Sequence, residues 1–291
     1  MLYALILIGV YLAFKQLPEE ASLSTLSNAK EIQQNHYQFI RNNHYQYTKP
    51  LLLSEINNES QTFQSLKNEI NSFATTLPNT SISVFVLNFN TDEWFALNDQ
   101  EKFKPGSMLK IVKLISILKQ SEKIPGILES KVNYSAKIVD AFQHFESKEL
   151  PLGKNYTVNE LLYAMIVDSD NNATKLLDKF MDFNEYKQLF NDLNLDAPSS
   201  ERNDYVISAK ELSRFMRLLY NSTYLNQENS EKALKLLCQS AFKKGLVKEL
   251  PNGTLVAHKF GEQFTPNSNE LHETGIVYGP NGNYLITVMT R

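Results

Sequence analysis

Strand-forming sequence occurs at both ends of the region 58–291, and helix-forming sequence fills its middle. Near the amino end, "SISVFVLNFN" (81–90) predicts a strand and "TDEWFALN" (91–98) its hairpin partner. Near the carboxyl end, "TLVAHKFGE", "LHETGIVYGP" and "NYLITVMTR" predict three more strands, and Pro-Asn-Gly-Asn predicts a hairpin turn between the last two. This order favours an α+β fold of α/β/α sandwich type, in which strands from both ends form one antiparallel sheet around an inserted helical lobe.

Helical periodicity dominates the sequence between those strands. The stretch "KPGSMLKIVKLISILKQ" (104–120) predicts a helix that begins just after a Pro-Gly pair. "TVNELLYAMIVDSDNNATKLLDKF" predicts two helices that are separated at "DSDNN", and three further helices follow it. Ser208 and Glu211 have the spacing of a capping box at the start of one of them. A cleft between the sheet and the helical lobe is the expected place for a functional site.

The amino-terminal sequence differs from the rest of the chain. Leu2–Phe14 is an uncharged, mostly apolar run, shorter than the ~20 residues that a membrane span needs. We interpret residues 1–15 as an export signal or membrane anchor, with a buried core helix as the alternative. Residues 16–57 are polar and predict a spacer, and residues 58–291 form the globular domain. The expected location is therefore extracytoplasmic, in the periplasm or at the cell surface, either secreted or attached to the membrane through the apolar segment.

Composition excludes several classes of function. The net charge is −3, with 42% hydrophobic and 21% charged residues, so no basic surface predicts a nucleic-acid partner. Cys238 is the only cysteine, which rules out an internal disulfide and a multi-cysteine metal site. The five histidines lack metal-ligand spacing, and we expect no metal or other cofactor. We expect the protein to be a monomer.

Ser107 and Lys110 lie where the helix of 104–120 begins. Residues three apart share a helix face, so the lysine is placed to act on the serine hydroxyl. A serine needs a base to become a nucleophile, and a lysine can serve if burial lowers its pKa. The alternative is that Lys110 is an ordinary solvated helix charge, because Ser-x-x-Lys is a weak motif when it stands alone.

Ser169, Asp170 and Asn171 occupy the break between two predicted helices. Here the serine could relay a proton to a leaving group, the aspartate could fix the loop, and the asparagine could hold both substrate and Lys110. These residue types also favour turns, so a plain helix-joining turn is the alternative.

Lys259, Gly261 and Glu262 lie on a strand near the carboxyl end. The lysine offers a cation to an anionic substrate, and the glycine would let a substrate backbone approach the strand. The backbone amide of Glu262 could pair with that of Ser107 as an oxyanion hole. An exposed strand lysine followed by a bulge is the alternative.

Together, Ser-x-x-Lys, Ser-Asp-Asn and a Lys-x-Gly strand in this order resemble the class A β-lactamase-like serine hydrolases, a family that includes penicillin-binding proteins. The resemblance covers roughly residues 58–291 and implies a β-lactamase/transpeptidase-like fold. It implies that Ser107 attacks a lactam or amide carbonyl, that Lys110 takes its proton, and that Ser169 protonates the leaving nitrogen. It also implies Asn171 and Lys259 as substrate-binding residues, and β-lactams or the D-Ala-D-Ala ends of peptidoglycan stems as substrates.

Three departures from the family pattern limit what the resemblance implies. Phe260 replaces a hydroxyl residue that helps to bind a substrate carboxylate, and strand alternation turns it away from Lys259, where it can be a core residue. Glu201 is the one candidate for the base that activates the deacylating water, in a segment shorter than the usual loop. The family's carboxyl-terminal helix is absent from this sequence, which predicts a partly bare sheet face. We therefore expect acylation without fast release. The alternative is a non-catalytic, membrane-tethered wall-binding module that retains the fold.

Overall fold

The computed structural model describes residues 46–48, 59–138, 145, 148–199, 205–248, 250–265, 268–280 and 282–291. Within them, five antiparallel strands form one sheet, namely β1 (Ile82–Asn88), β2 (Trp94–Leu97), β7 (Leu255–Thr265), β8 (Ser268–Gly279) and β9 (Gly282–Thr290). Their order across the sheet is β2-β1-β9-β8-β7. Strand β9 pairs with β1, so the two ends of the domain meet in the middle of the sheet, as the sequence predicts. Strand β7 lies at one edge, facing the site described below.

Helices form the layers on both sides of this sheet. Five of the seven described helices are capped at their amino ends by a polar side chain, and Ser208 and Glu211 form the predicted reciprocal capping box. The helices are α1 (Gln64–Ala74), α2 (Lys110–Ser121), α3 (Val158–Val167), α4 (Asn171–Leu176), α5 (Phe183–Asp192), α6 (Ala209–Asn221) and α7 (Gln227–Cys238).

Helix α2 is the centre of the helical lobe. Its apolar residues occur on all sides, a pattern typical of a helix that is buried all round. It contacts α3, α5, α6 and α7, and its apolar side chains are almost fully buried: Ile111, Val112, Leu114, Ile115, Ile117 and Leu118. The chemistry at its amino-terminal end therefore rests on a fixed element.

The sheet is apolar on both faces because both faces are covered. One face packs on the helical lobe, and the other packs on α1 and on the segment that follows α7. Val84, Val86, Ile286 and Val288 on the second face are buried with Leu66, Ile70, Phe242 and Leu246. The expectation of a partly bare face is wrong for the described residues.

Two short strand pairs were not predicted. Strand β3 (Lys102–Phe103) pairs with β6 (Ile207–Ser208), and β4 (Lys131–Tyr134) pairs with β5 (Lys154–Thr157). Each is too short to show a clear alternation in sequence. Within the described residues, no helix is both long enough and apolar enough to cross a bilayer. The apolar run Leu2–Phe14 lies outside those residues.

Candidate active site

Ser107 lies in a single 3-10 turn, Gly106–Leu109, which leads directly into α2. The sequence predicted a helix start at the serine, but the α-helix itself begins at Lys110. The turn is possible because Gly106 adopts the left-handed φ of 54°, which is strained for residues with a side chain. Ser107 is half-buried at this joint between strand and helix.

Lys110 is buried, with 5% of its surface exposed. Its Nζ donates to the Ser169 carbonyl oxygen at 2.6 Å, to Ser169 Oγ at 3.2 Å and to Asn171 Oδ1 at 2.8 Å. Burial lowers the pKa of Lys110 to about 7; the Lys113 charge adds to this effect, and Asp170 and Glu262 oppose it. About half of the amine is therefore neutral near pH 7, which makes this side chain a competent base.

None of these three hydrogen bonds goes to Ser107. Lys110 and Ser107 share one turn of chain, and the amine is held by the loop on its other side. Hydrogen bonds between nucleophile and base are often long without substrate and shorten when substrate binds. The loop therefore holds the Lys110 amine in place before a substrate binds. The Ser107 hydroxyl would come within hydrogen-bonding distance of this amine when the substrate is bound.

The Ser169–Asn171 segment is a loop between α3 and α4 that is held in place by hydrogen bonds. Ser169 has a left-handed φ of 57°, an uncommon conformation that turns the chain between α3 and α4. Asp170 caps α4 by accepting from the amides of Asn172 at 2.7 Å and Ala173 at 3.0 Å. Its second oxygen accepts from the Leu150 amide at 2.8 Å. Three backbone hydrogen bonds thus hold the loop and fix the position of Ser169.

Ser169 Oγ lies between two lysines. It accepts from Lys110 Nζ at 3.2 Å and from Lys259 Nζ at 3.0 Å, and the side chain is 3% exposed. A hydroxyl between two amines can take a proton from one neighbour and pass its own to a substrate. This arrangement suits a proton relay to a leaving group.

Lys259 extends from β7 into the same cluster and is fully buried. Besides Ser169, its Nζ donates to the Phe260 carbonyl oxygen at 3.1 Å. Burial, together with the charge of Lys110, lowers the pKa of Lys259 well below its ordinary value, while Glu273 and Glu262 oppose the shift. The alternative interpretation of Lys259 as an exposed strand lysine is therefore wrong.

Strand β7 and the 3-10 turn approach each other at two glycines. A Cβ on Gly261 would lie 2.2 Å from the Pro105 carbonyl oxygen, and one on Gly106 would lie 2.5 Å from the Glu262 carbonyl oxygen. The missing side chain of Gly261 therefore leaves room for the 3-10 turn. We had expected it to leave room for a substrate backbone. The contact places the amide of Glu262 beside the turn that carries Ser107, as an oxyanion hole requires.

The other predicted and neighbouring residues have simpler roles. Glu201, the candidate deacylation base, lies outside the described residues. His258 is buried and shares a 2.6 Å hydrogen bond with Glu273, whose other oxygen accepts from the Leu246 amide. In the described ranges, no three His, Cys, Asp or Glu side chains converge to hold a metal ion. The sequence did not predict that the Glu262 carboxylate would act electrostatically on Lys110 and Lys259, because this depends on how the strand packs in the fold.

Comparison with known proteins identifies a family. A family model described as the β-lactamase enzyme family matches residues 64–291. No functionally curated protein matches the chain in sequence.

Solved structures share the fold at low identity. PBP-A aligns with a TM-score of 0.66 and 19% identity, covering 85% of this chain and 90% of that one. The TLA-3 extended-spectrum β-lactamase aligns with a TM-score of 0.67 and 21% identity over 77% and 89%. A β-lactamase from Chitinophaga pinensis DSM 2588 aligns with a TM-score of 0.67 and 20% identity over 76% and 88%. The family match spans most of the chain, and the chain therefore belongs to the β-lactamase enzyme family.

Proposed function

We propose that the protein is an exported serine hydrolase or acyltransferase that forms an acyl-serine at Ser107. Its substrates would be β-lactams or D-Ala-D-Ala-type amides of peptidoglycan, encountered outside the cytoplasm and near the membrane. The observation that carries the proposal is the cluster of Lys110, Ser169, Asn171 and Lys259, in which a buried amine with a pKa of about 7 is held by three hydrogen bonds. A mutant of PBP-A, similar in fold, has been captured as an acyl-enzyme with penicillin G.

The proposed acylation uses each member of this cluster. Ser107 Oγ attacks the carbonyl carbon, its proton passes to Lys110 Nζ, and the amides of Ser107 and Glu262 stabilise the oxyanion. The carbon–nitrogen bond then breaks, and the leaving nitrogen takes a proton from Ser169 Oγ. That hydroxyl regains a proton from Lys110, to which it is hydrogen-bonded at 3.2 Å. Atoms and charges balance, with the acyl group left on Ser107.

Hydrolysis of the acyl-serine needs an activated water, and we propose that this step is slow. Glu201 remains the candidate base, on sequence grounds alone. Slow release would make the protein behave as a penicillin-binding D,D-peptidase rather than as an efficient β-lactamase.

Labelling with a fluorescent penicillin, followed by a denaturing gel, tests the proposal. The wild type should give a covalently labelled band that Ser107→Ala lacks. Ser121→Ala, a serine change farther along α2, is the matched control and should label like the wild type. Equal labelling of the wild type and Ser107→Ala would remove the covalent-serine mechanism, and chasing with unlabelled penicillin measures release.

A second candidate is a non-catalytic, membrane-tethered module that binds the cell wall. Two observations favour it: Lys110 makes no hydrogen bond to Ser107, and the Phe260 ring lies over Lys259. It predicts peptidoglycan binding that Lys110→Ala leaves unchanged, with no acylation by any probe. Covalent labelling that depends on Ser107 would exclude it.

A further inference from the structure

The side-chain nitrogen of Lys259 is enclosed by a hydroxyl oxygen, a carbonyl oxygen and an aromatic ring. Its Nζ lies 4.2 Å from the centroid of the Phe260 ring and donates to Ser169 Oγ and to the Phe260 carbonyl oxygen. A lysine amine has at most three donor positions, so two are occupied and the ring covers the nitrogen. The side chain has no exposed surface. A substrate carboxylate therefore has no direct path to this cation.

The covering ring is itself held by two aromatic neighbours. Phe260 stacks on Phe242 with ring centroids 4.2 Å apart, and Phe145 packs edge-on against it at 5.8 Å. Phe145 also packs edge-on against Phe242 at 5.3 Å. All three are buried. Such mutual packing favours one arrangement of the three rings, so Phe260 acts as a fixed cover.

Glu262 places negative charge beside the same cover. It lies two residues after Phe260, and residues two apart project from the same face of a strand. Burial lowers the pKa of both Lys110 and Lys259. Glu262 opposes this shift at both lysines, alongside the larger effects of Asp170 on Lys110 and of Glu273 on Lys259. A carboxylate within electrostatic reach of both lysines disfavours a second anion there and favours a cation or a neutral group.

We propose that the leaving-group side of this site selects acyl donors that carry no carboxylate there, with neutral or amine-bearing groups preferred. This inference rests on the proposed acyl-serine chemistry and narrows its substrate class. It favours peptide amides or esters whose leaving part is blocked, extended or cationic, over stems that end in a free carboxylate. Phe260 and Glu262 are the specificity-determining residues.

A matched set of β-lactams tests this directly on the full chain. Benzylpenicillin, its methyl ester and its 2-(dimethylamino)ethyl ester share one ring and one side chain, and differ at the carboxyl position by charge and ester substituent. Intact-protein mass spectrometry gives the second-order rate of Ser107 acylation for each, corrected for its alkaline hydrolysis rate and for the Ser107→Ala background. The amine ester should react fastest and benzylpenicillin slowest. A benzylpenicillin rate tenfold above that of the methyl ester overturns the proposal.

Two variants test the assigned residues. Phe260→Thr uncovers Lys259 and should raise the benzylpenicillin rate about tenfold or more, the effect of one gained hydrogen bond to a charged group, while changing the methyl ester rate less than threefold. Glu262→Gln should reduce the preference for the amine ester over the methyl ester. If Phe260→Thr fails to fold, the wild-type rate order and Glu262→Gln still decide the question. Rates unchanged in both variants would remove these residues from specificity.

A nearby exposed lysine provides the control. Lys244 Nζ lies 5.5 Å from the Phe145 ring centroid and could attract a carboxylate from outside the cover. Lys244→Gln should leave the rate order unchanged, and a rate order that changes in this variant would assign the selectivity to Lys244 and overturn the proposal. No adduct with any of the three probes would overturn the acyl-serine function on β-lactams and the inference with it. An adduct with carboxylate preference would overturn the inference alone.

Discussion

Replacing Lys110 with arginine separates the positive charge of this residue from its ability to accept a proton. An ordinary lysine with a pKa of 10.5 is neutral in roughly one molecule in 3,000 at pH 7, whereas a pKa of about 7 leaves about one in two neutral. Burial thus raises the fraction of usable base about a thousandfold. Arginine stays protonated at every working pH, so Lys110→Arg keeps a cation and removes the base.

The sign of the pH effect follows from which form is active. The neutral amine accepts the serine proton, so the wild-type acylation rate should rise roughly tenfold between pH 6 and pH 8, with a midpoint near the pKa of about 7. Lys110→Arg should lose roughly 10²–10⁴-fold in rate, the usual contribution of general-base catalysis, together with the rise through pH 7. Time-resolved mass spectrometry of the acylated protein from pH 5.5 to 9.5 measures both quantities.

Lys113→Arg is the matched control for this experiment. Lys113 lies one turn further along α2, where its Nζ donates to the Thr174 carbonyl oxygen at 3.1 Å and pairs with Asp178. The arginine keeps the positive charge at this position, so we expect Lys113→Arg to have the same acylation rate and the same pH midpoint as the wild type. A Lys110→Arg rate within threefold of the wild type, with normal thermal unfolding, would refute the assignment of Lys110 as the base.

Three further changes test contacts within the site and elsewhere in the fold. Asp170→Ala leaves three backbone amides without their acceptor and should lower the free energy of unfolding by roughly 3 kcal/mol or more, measured by urea titration; a loss under 1 kcal/mol contradicts this. Gly261→Ala drives a Cβ against the Pro105 carbonyl and should slow acylation at least about tenfold, whereas a rate like that of the wild type would show that the strand and turn need no such contact. Glu231→Gln weakens the carboxylate that accepts from the amides of residues 46–48 and should speed their hydrogen exchange, with unchanged exchange as the contrary result.

The sheet and most helices were predictable because their signals are local. The apolar strand pattern at 81–90, the Gly-containing hairpin before β9 and the capping box at Ser208 each act within about ten residues. The motifs also predicted that Asn171 would hold Lys110, and its Oδ1 accepts from that amine at 2.8 Å; the expected contact of Lys110 with Ser107 is not among the hydrogen bonds of the amine.

The cover over Lys259 was not predictable in the same way. Phe145 and Phe242 are far from Phe260 in sequence, and only the folding of the chain stacks the three rings. Strand alternation indicated that Phe260 is a core residue, but it does not reveal that the same ring lies over its neighbour's ammonium. The start of α2 was misplaced for a similar reason, because the close contact of Gly261 with the turn is also long-range.

The central claim is that Ser107 becomes covalently acylated, and tryptic mass mapping tests it most directly. Trypsin cuts poorly between lysine and proline, so cleavage after Lys102 and Lys110 releases the peptide "FKPGSMLK", in which Ser107 is the only hydroxyl residue. After incubation with benzylpenicillin or its methyl ester, this peptide should carry the mass of the opened lactam, and the Ser107→Ala protein should carry none. An unmodified peptide, with the adduct elsewhere or absent, would contradict the account.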